Sequence, residues 1–390
     1  MFQIQTLNKI ASEGLNLFPR EMYEVASEFS NPDAIVLRSF DLHSHEFQGN
    51  LKAVARAGAG VNNIPIPECS EKGIVVFNTP GSNANSVKEL VFAGMFLASR
   101  NLFPAISWLQ SLDSSGDVPK LVEKEKSNFK GTELKGKTLG VIGLGAIGAQ
   151  VANAADAFGM NVIGCDPYIS VDTAWILSCT IERAKNVEHV LSGYDYITIH
   201  VPLTDKNKGL INSENIKAMK NGAVLLNFAR NGLVEKESLK KALAEGKISR
   251  YVTDFPEADL LHMENVIPLP HIGASTKEAE ANSACMAVQQ LKNFLECGNI
   301  TNSVNFPECS MEMTGTTRIV ITNKYISSMV GQITSVLADE KINISDMLNK
   351  HKGDYSYTFI DVDADIPQST LEKIKNIEGV ISVRLINAEC

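Results

Sequence analysis

The chain has no Cys-x-x-Cys pair, and its seven cysteines (Cys69, Cys165, Cys179, Cys285, Cys297, Cys309 and Cys390) are scattered. An odd, dispersed set fits neither a disulfide framework nor a structural zinc site. It predicts free thiols acting as small buried hydrophobes in a reducing compartment. Basic charge is also scarce: 36 Lys and Arg stand against 45 Asp and Glu, a net charge of -9, which argues against general nucleic-acid binding. No apolar run is long enough to span a bilayer, and residues 1–13 lack the continuous apolar core of a signal peptide. Repeats and low-complexity tracts are absent too. Together these absences predict a cytoplasmic protein with no metal and no membrane or nucleic-acid partner. What is present suffices for two or three domains, since 390 residues at 44% hydrophobic content can bury several cores.

The most informative stretch runs from Thr138 to Gly148. An apolar segment suited to a buried strand ends in Gly143-x-Gly145-x-x-Gly148, and a helical pattern follows at once. Gly143 suits a tight strand-to-helix turn, Gly145 lets backbone approach a pyrophosphate, and Gly148 lets the helix lie close to the sheet. A second apolar segment, residues 161–165, ends in Asp166, where a carboxylate can take the ribose diol of an adenosine and repel the extra phosphate of NADP. Strand, helix, second strand and terminal acid in register predict an NAD site.

The remaining pattern is a βα alternation in two runs. Strands are expected at 34–37, 53–55 and 74–77, each ending in a polar or glycine-rich turn, with a helix at 86–99 and an irregular, exposed stretch at 111–130. From residue 139 the alternation resumes, with strands at 196–199, 223–227 and 251–253. Ser275-Thr-Lys-Glu278 reads as a capping box opening a helix that Gly298 stops near Cys297. Residues 301–316 read as a polar linker, and a βαββαβ pattern from Arg318 to Ile386 suits a ferredoxin-like domain.

Three segments could face the cofactor. Arg230 sits on a turn after the apolar run 223–227, where a guanidinium can clamp a carboxylate; Asn231 and Gly232 both suit positive φ there. His271, between an apolar segment and the capped helix, is a neutral-range proton acceptor at a strand end, as alcohol oxidation requires. The loop carrying Asp254, Glu257 and Asp259 offers carboxylates, one of which could pair with His271.

On these motifs, together with residues 56–64, 73–83 and 131–140, Cys165-Asp-Pro-Tyr168 and His200-Val-Pro-Leu-Thr204, the chain resembles the D-isomer-specific 2-hydroxyacid dehydrogenases with a C-terminal ACT domain. The resemblance runs almost end to end. It implies an α/β fold of two doubly wound, Rossmann-like parallel sheets followed by a ferredoxin-like domain. The implied division is a substrate domain at 1–98 and 276–302, an NAD domain at 99–275, a linker at 303–316 and an ACT domain at 317–390. The implied catalytic residues are Arg230, His271 and an acid that is either Glu257 or Asp259. Implied cofactor contacts are Gly143, Gly145, Ala146, Ile147, Gly148, Asp166, His200, Val201, Pro202, Ala229, Arg230, Asp254, His271 and Gly273. Arg38, Ser39, Asn83 and the amides of Ala57, Gly58, Ala59 and Gly60, with Arg230, would bind the substrate.

The expected reaction is NAD-dependent oxidation of 3-phospho-D-glycerate toward L-serine, with Arg38-Ser39 favouring a phosphate. The alternatives are another D-2-hydroxy acid, such as glyoxylate or 2-hydroxyglutarate partners, and a low-turnover regulator sensing NAD and an amino acid. Asn323 and Asn343 would serve an effector such as L-serine, although Ser327-Ser328 replaces the Pro-Gly turn usual in that site. A homodimer or homotetramer is expected.

Overall fold

The computed structural model describes residues 1–47, 49–114 and 116–387. The chain divides into two compact units, one of residues 1–82 and 280–390, the other of residues 83–279.

The first unit opens with five parallel strands, β1 (Phe2–Leu7), β2 (Tyr23–Ala26), β3 (Ala34–Leu37), β4 (Ala53–Arg56) and β5 (Val75–Phe77), in the order β2-β1-β3-β4-β5. β3 and β5 are buried along their whole length, which is why they read as unbroken apolar runs. β1 and β2 carry exposed or half-buried polar residues and gave no such run. One face packs Ile35, Leu37, Val54 and Val76; the other packs Ala34, Val36, Ala55 and Phe77 beneath the helix Lys277–Cys297.

The second unit holds seven parallel strands: β6 (Thr138–Ile142), β7 (Asn161–Cys165), β8 (Glu182–Arg183), β9 (Tyr196–Ile199), β10 (Ala223–Asn227), β11 (Ile248–Thr253) and β12 (Val266–Pro268). Their order is β12-β11-β10-β9-β6-β7-β8, so the winding reverses between β6 and β9. Neighbouring residues of one strand feed opposite faces: Leu225 joins the core with Ile142 and Ile197, and Leu226 joins the one with Val141 and Val252. The stretch expected to be irregular between 111 and 130 is exposed but contains a helix, Val118–Glu125. Asp117 caps it by accepting from the Lys120 amide at 3.3 Å, and Pro119 stands in its first turn.

The long helix starts at Lys277, with Thr276 rather than Ser275 as cap: Thr276 Oγ1 accepts from the Ala279 amide at 3.1 Å. It stops at Gly298, whose φ is 79°. The segment expected to be a polar linker is tied down. Asn305 donates to the Ile74 carbonyl at 2.9 Å and accepts from the Val76 amide at 2.9 Å, while Phe306 and Cys309 are fully buried.

The chain ends in an antiparallel sheet, β13 (Thr317–Lys324), β14 (Ile344–Lys352), β15 (Tyr355–Val362) and β16 (Val380–Asn387), ordered β14-β15-β13-β16, with helices Met329–Asp339 and Gln368–Lys375. This is the ferredoxin-like arrangement. It belongs to the first unit, because Val320, Tyr357, Phe359 and Ile386 share one core with Phe77, Phe294 and Phe306. Among the described cysteines, Cys69, Cys165 and Cys309 are buried, Cys285 and Cys297 half-buried and Cys179 exposed. Cys179 therefore departs from the expected burial, and Cys390 lies outside the described residues. No single described helix is long and apolar enough to cross a membrane.

Candidate active site

The carboxyl ends of the strands in the second unit carry the chemistry. At the end of β6, Gly143 has φ 91°, and a Cβ there would lie 2.6 Å from the His200 carbonyl oxygen at the end of β9. A Cβ on Gly148 would meet the Gly143 carbonyl oxygen at 1.9 Å, so the helix Ala146–Ala157 can approach its strand only through glycine. Gly145, by contrast, has nothing within 4 Å of its Cβ position. The open space lies at the amino end of a twelve-residue helix that Ala146 and Ile147 begin, where free amides favour a phosphate.

Asp166 follows β7. Its Oδ2 accepts from the Leu144 amide at 2.9 Å and its Oδ1 from the Tyr168 amide at 2.8 Å, which fixes the carboxylate beside the glycine turn. His200 Nε2 lies 2.9 Å from Thr198 Oγ1, and its Nδ1 is buried without a partner. Burial drives the His200 pKa down to about 3, so the ring stays neutral. The orphaned nitrogen, the glycine cradle and the fixed acid all suit a dinucleotide. Val201 packs against Gly143, and the Pro202 carbonyl accepts from Asn207.

Arg230 is presented by a turn that Asn227 builds. Asn227, 1% exposed, accepts from the Ala229 amide at 3.2 Å and donates to the Arg230 carbonyl at 3.0 Å. Arg230 Nη1 donates to the Ala229 carbonyl at 2.7 Å, and the residue is exposed. Gly232 takes φ 83°, whereas Asn231 keeps a negative φ. Phe255, which nothing in the sequence singled out, joins the two principal side chains. The Arg230 guanidinium lies 5.7 Å from its ring centroid, and the His271 ring lies 4.6 Å away on tilted planes.

His271 follows β12 in a left-handed conformation, φ 53°. Asp254, 2% exposed, holds that turn: its two oxygens accept from the amides of Ile272 at 2.9 Å and Gly273 at 2.8 Å. Among the described residues, neither Glu257 nor Asp259 is hydrogen-bonded to the imidazole. Glu257 is ion-paired with Lys236, and Asp259 lies 3.4 Å from Lys236 and 3.3 Å from Lys240. The two lysines stand one turn apart on the helix Lys236–Ala244 and pair with both carboxylates; hydrogen bonding from Lys240 holds Asp259 below the usual carboxylate range.

In the first unit, Arg38 follows β3. Its carbonyl accepts from Arg56 Nε at 2.9 Å and Asn63 Nδ2 at 3.3 Å, and the Ser39 amide donates to Asn8 Oδ1 at 3.1 Å. The loop Ala57, Gly58, Ala59 and Gly60 follows β4 alongside: Arg56 also donates to the Gly60 carbonyl, and Asn78 Nδ2 to the Ala59 carbonyl at 2.6 Å. Asn83 falls in the second unit, at the start of the helix Ala84–Arg100, and its side chain makes no capping bond.

In the C-terminal sheet a cavity of about 160 Å³ is lined by Asn323, Tyr325, Ser328, Gly331 and Asn349, among others. Asn323 is 1% exposed, with its Oδ1 unpartnered, and Ser328 takes φ 65° in the turn where the resemblance implies glycine. Asn343, expected here, is exposed and does not line the cavity; Asn349, on β14, does.

Residues 92–273 match the NAD binding domain family of the D-isomer specific 2-hydroxyacid dehydrogenases. The chain is 38% identical over 82% of its length to D-3-phosphoglycerate dehydrogenase of Methanocaldococcus jannaschii, covering 60% of that protein. It is 37% identical over 64% of its length to hydroxypyruvate reductase of Thermotoga maritima, covering 78% of that protein. Among solved structures, NAD+-bound 3-phosphoglycerate dehydrogenase of Entamoeba histolytica superposes with a TM-score of 0.61 at 26% identity, over 78% of this chain and 98% of that one. The chain belongs to the D-isomer-specific 2-hydroxyacid dehydrogenase family. It spans 50% to 60% of the length of four curated phosphoglycerate dehydrogenases that it matches.

Proposed function

We propose that the protein oxidises 3-phospho-D-glycerate to 3-phosphohydroxypyruvate with NAD, the first step toward L-serine. The observation that carries the reading is the Arg230–Phe255–His271 cluster, set at the carboxyl edge of the same sheet as the glycine cradle and Asp166. NAD would be held by the amides at Gly145 to Ile147, by Asp166 at the ribose and by the His200 to Pro202 segment, and when bound it supplies a hydride acceptor. Arg230 binds the substrate carboxylate and stabilises the negative charge developing on the reacting oxygen. His271 takes the hydroxyl proton on a ring nitrogen, and Phe255 holds the imidazole in place. Arg38 and Ser39 bind the phosphate, and the amides from Ala57 to Gly60 meet the carboxylate. The odd, dispersed set of cysteines supports a reducing cytoplasm.

The test is NADH formation from 3-phospho-D-glycerate at alkaline pH with a keto-acid trap. His271→Ala is expected to cut turnover about a hundredfold or more, the scale of a positioned acid–base group, with little change in NAD affinity. Near-normal turnover in that variant would remove His271 from the chemistry. The likeness to a hydroxypyruvate reductase favours a second reading, reduction of an unphosphorylated 2-oxo acid, which faster turnover of hydroxypyruvate than of the phosphorylated pair would support.

For the C-terminal domain we propose contact between subunits of a homodimer or homotetramer, and weak or absent inhibition by serine. The Ser328 side chain occupies the left-handed position where glycine would let a ligand approach backbone. Half-maximal inhibition at micromolar serine would overturn this.

A further inference from the structure

Arg38 does not stand free at the end of β3. Its Nη1 lies 2.6 Å from Glu280 Oε1, with the two side chains 36% and 44% exposed. The backbone under each partner is anchored. The Arg38 carbonyl is held by Arg56 and Asn63, and one face of the helix Lys277–Cys297 is fastened to the N-terminal sheet at steps of three or four residues. Ser283 Oγ lies 2.8 Å from Ser82 Oγ, Ala287 is fully buried, and Gln290 Nε2 donates to the Asn78 carbonyl at 3.0 Å. Phe294 packs on Phe77 with centroids 5.5 Å apart. Glu280 heads that face, so the fold itself delivers a carboxylate to Arg38.

We propose that Glu280 is a specificity-determining residue: a built-in anion that an incoming phosphate must displace from the Arg38 guanidinium. This rests on the reading of Arg38 as the phosphate ligand. A phosphate dianion offers more charge and more acceptor oxygens than one carboxylate and wins the exchange, whereas weaker anions do not. Glu280 therefore lowers affinity for the phosphorylated substrate, as for any anion that must displace it, and leaves an acid with no anionic group at that position unaffected. Because the pair is part-exposed, its worth is that of a surface ion pair.

The experiment compares 3-phospho-D-glycerate with D-glycerate in the full chain, Glu280→Gln and Arg38→Ala, each first shown to be folded by its melting transition. Glu280→Gln is expected to raise the ratio of kcat/KM on the phosphorylated over the unphosphorylated acid by about two- to fivefold, through KM. Inorganic phosphate should also compete with the substrate at lower concentration. An unchanged ratio overturns the proposal, and a lowered one shows that Glu280 orients Arg38 instead of competing for it. If Arg38→Ala abolishes discrimination while Glu280→Gln adds none, only the role of Glu280 fails. If Arg38→Ala leaves discrimination intact, the phosphate reading fails and the proposal with it.

Discussion

Asp254 commits both carboxylate oxygens to the amides of Ile272 and Gly273, and it does so at 2% exposure. An amide in its place can accept through one atom only, so Asp254→Asn leaves a buried donor facing a buried donor. Losing a hydrogen bond to a charged group costs about 1.5–3 kcal/mol. The unfolding midpoint should drop accordingly, and kcat with it, since the same turn holds His271 at φ 53°; an unshifted midpoint would show that the turn stands without the acid. His200 makes a prediction about pH. Burial depresses its pKa from 6.5 to about 3, so the unfolded chain takes up a proton that the folded one refuses. Its contribution is constant above about pH 6.5 and becomes progressively destabilising as pH falls toward 3. The stability of the natural chain should therefore fall faster over that range than that of His200→Gln, measured by denaturant midpoints at each pH. Parallel pH curves would contradict the burial argument.

At the level of elements, the turn between β6 and the helix Ala146–Ala157 separates two uses of glycine. A methyl at Gly148 collides with the Gly143 carbonyl oxygen at 1.9 Å, whereas a methyl at Gly145 meets nothing within 4 Å. Gly148→Ala should push the helix from the sheet, lowering both thermal stability and NAD affinity. Gly145→Ala should leave the melting temperature alone and weaken NAD binding by about tenfold, the equivalent of one lost phosphate contact. Calorimetric titration beside a melting curve separates the two. Equal melting temperatures for both variants would mean that the collision at Gly148 is relieved cheaply.

For the whole molecule, the C-terminal sheet is part of the core of the first unit. Tyr357 donates to the Gly298 carbonyl at 2.7 Å, and Arg384 stacks 4.1 Å from the Phe294 ring centroid. Arg318, fully buried, pairs with Asp361 at 2.7 and 2.8 Å and donates to the carbonyls of Cys297 and Met311, each at 3.0 Å. Arg318→Met would strand the Asp361 charge in that core, a loss of about 3–5 kcal/mol. Cutting the chain after Thr316 should expose Phe294 and Phe306 and leave the first unit without a cooperative transition. A truncated chain that melts as sharply as the full one would show that the sheet is dispensable to the fold.

Local pattern alone carried the strands at 34–37, 53–55, 138–142, 161–165 and 223–227, because a parallel strand buried on both faces must be apolar almost throughout, and the glycine turn, because close approach of backbones excludes every other residue. The positions of Arg230, His271 and Asp166 were legible for the same reason: a break in an apolar run marks a strand end, where ligands gather. Other features depend on partners far away in the chain. β1 and β2 are half-buried and carry no run of their own. Phe255 looked like any apolar residue until β10, β11 and β12 brought it between Arg230 and His271. Lys236 and Lys240 claim Glu257 and Asp259 across about twenty residues, a competition that charge spacing does not encode. Glu280 meets Arg38 across more than two hundred residues, only because a helix face is fastened across the sheet face. Sequence by itself determined which fully buried segments form strands and where the glycine turn falls, since burial and backbone sterics act locally; tertiary structure decided which charged groups pair, since that follows from distances set only when the sheets assemble.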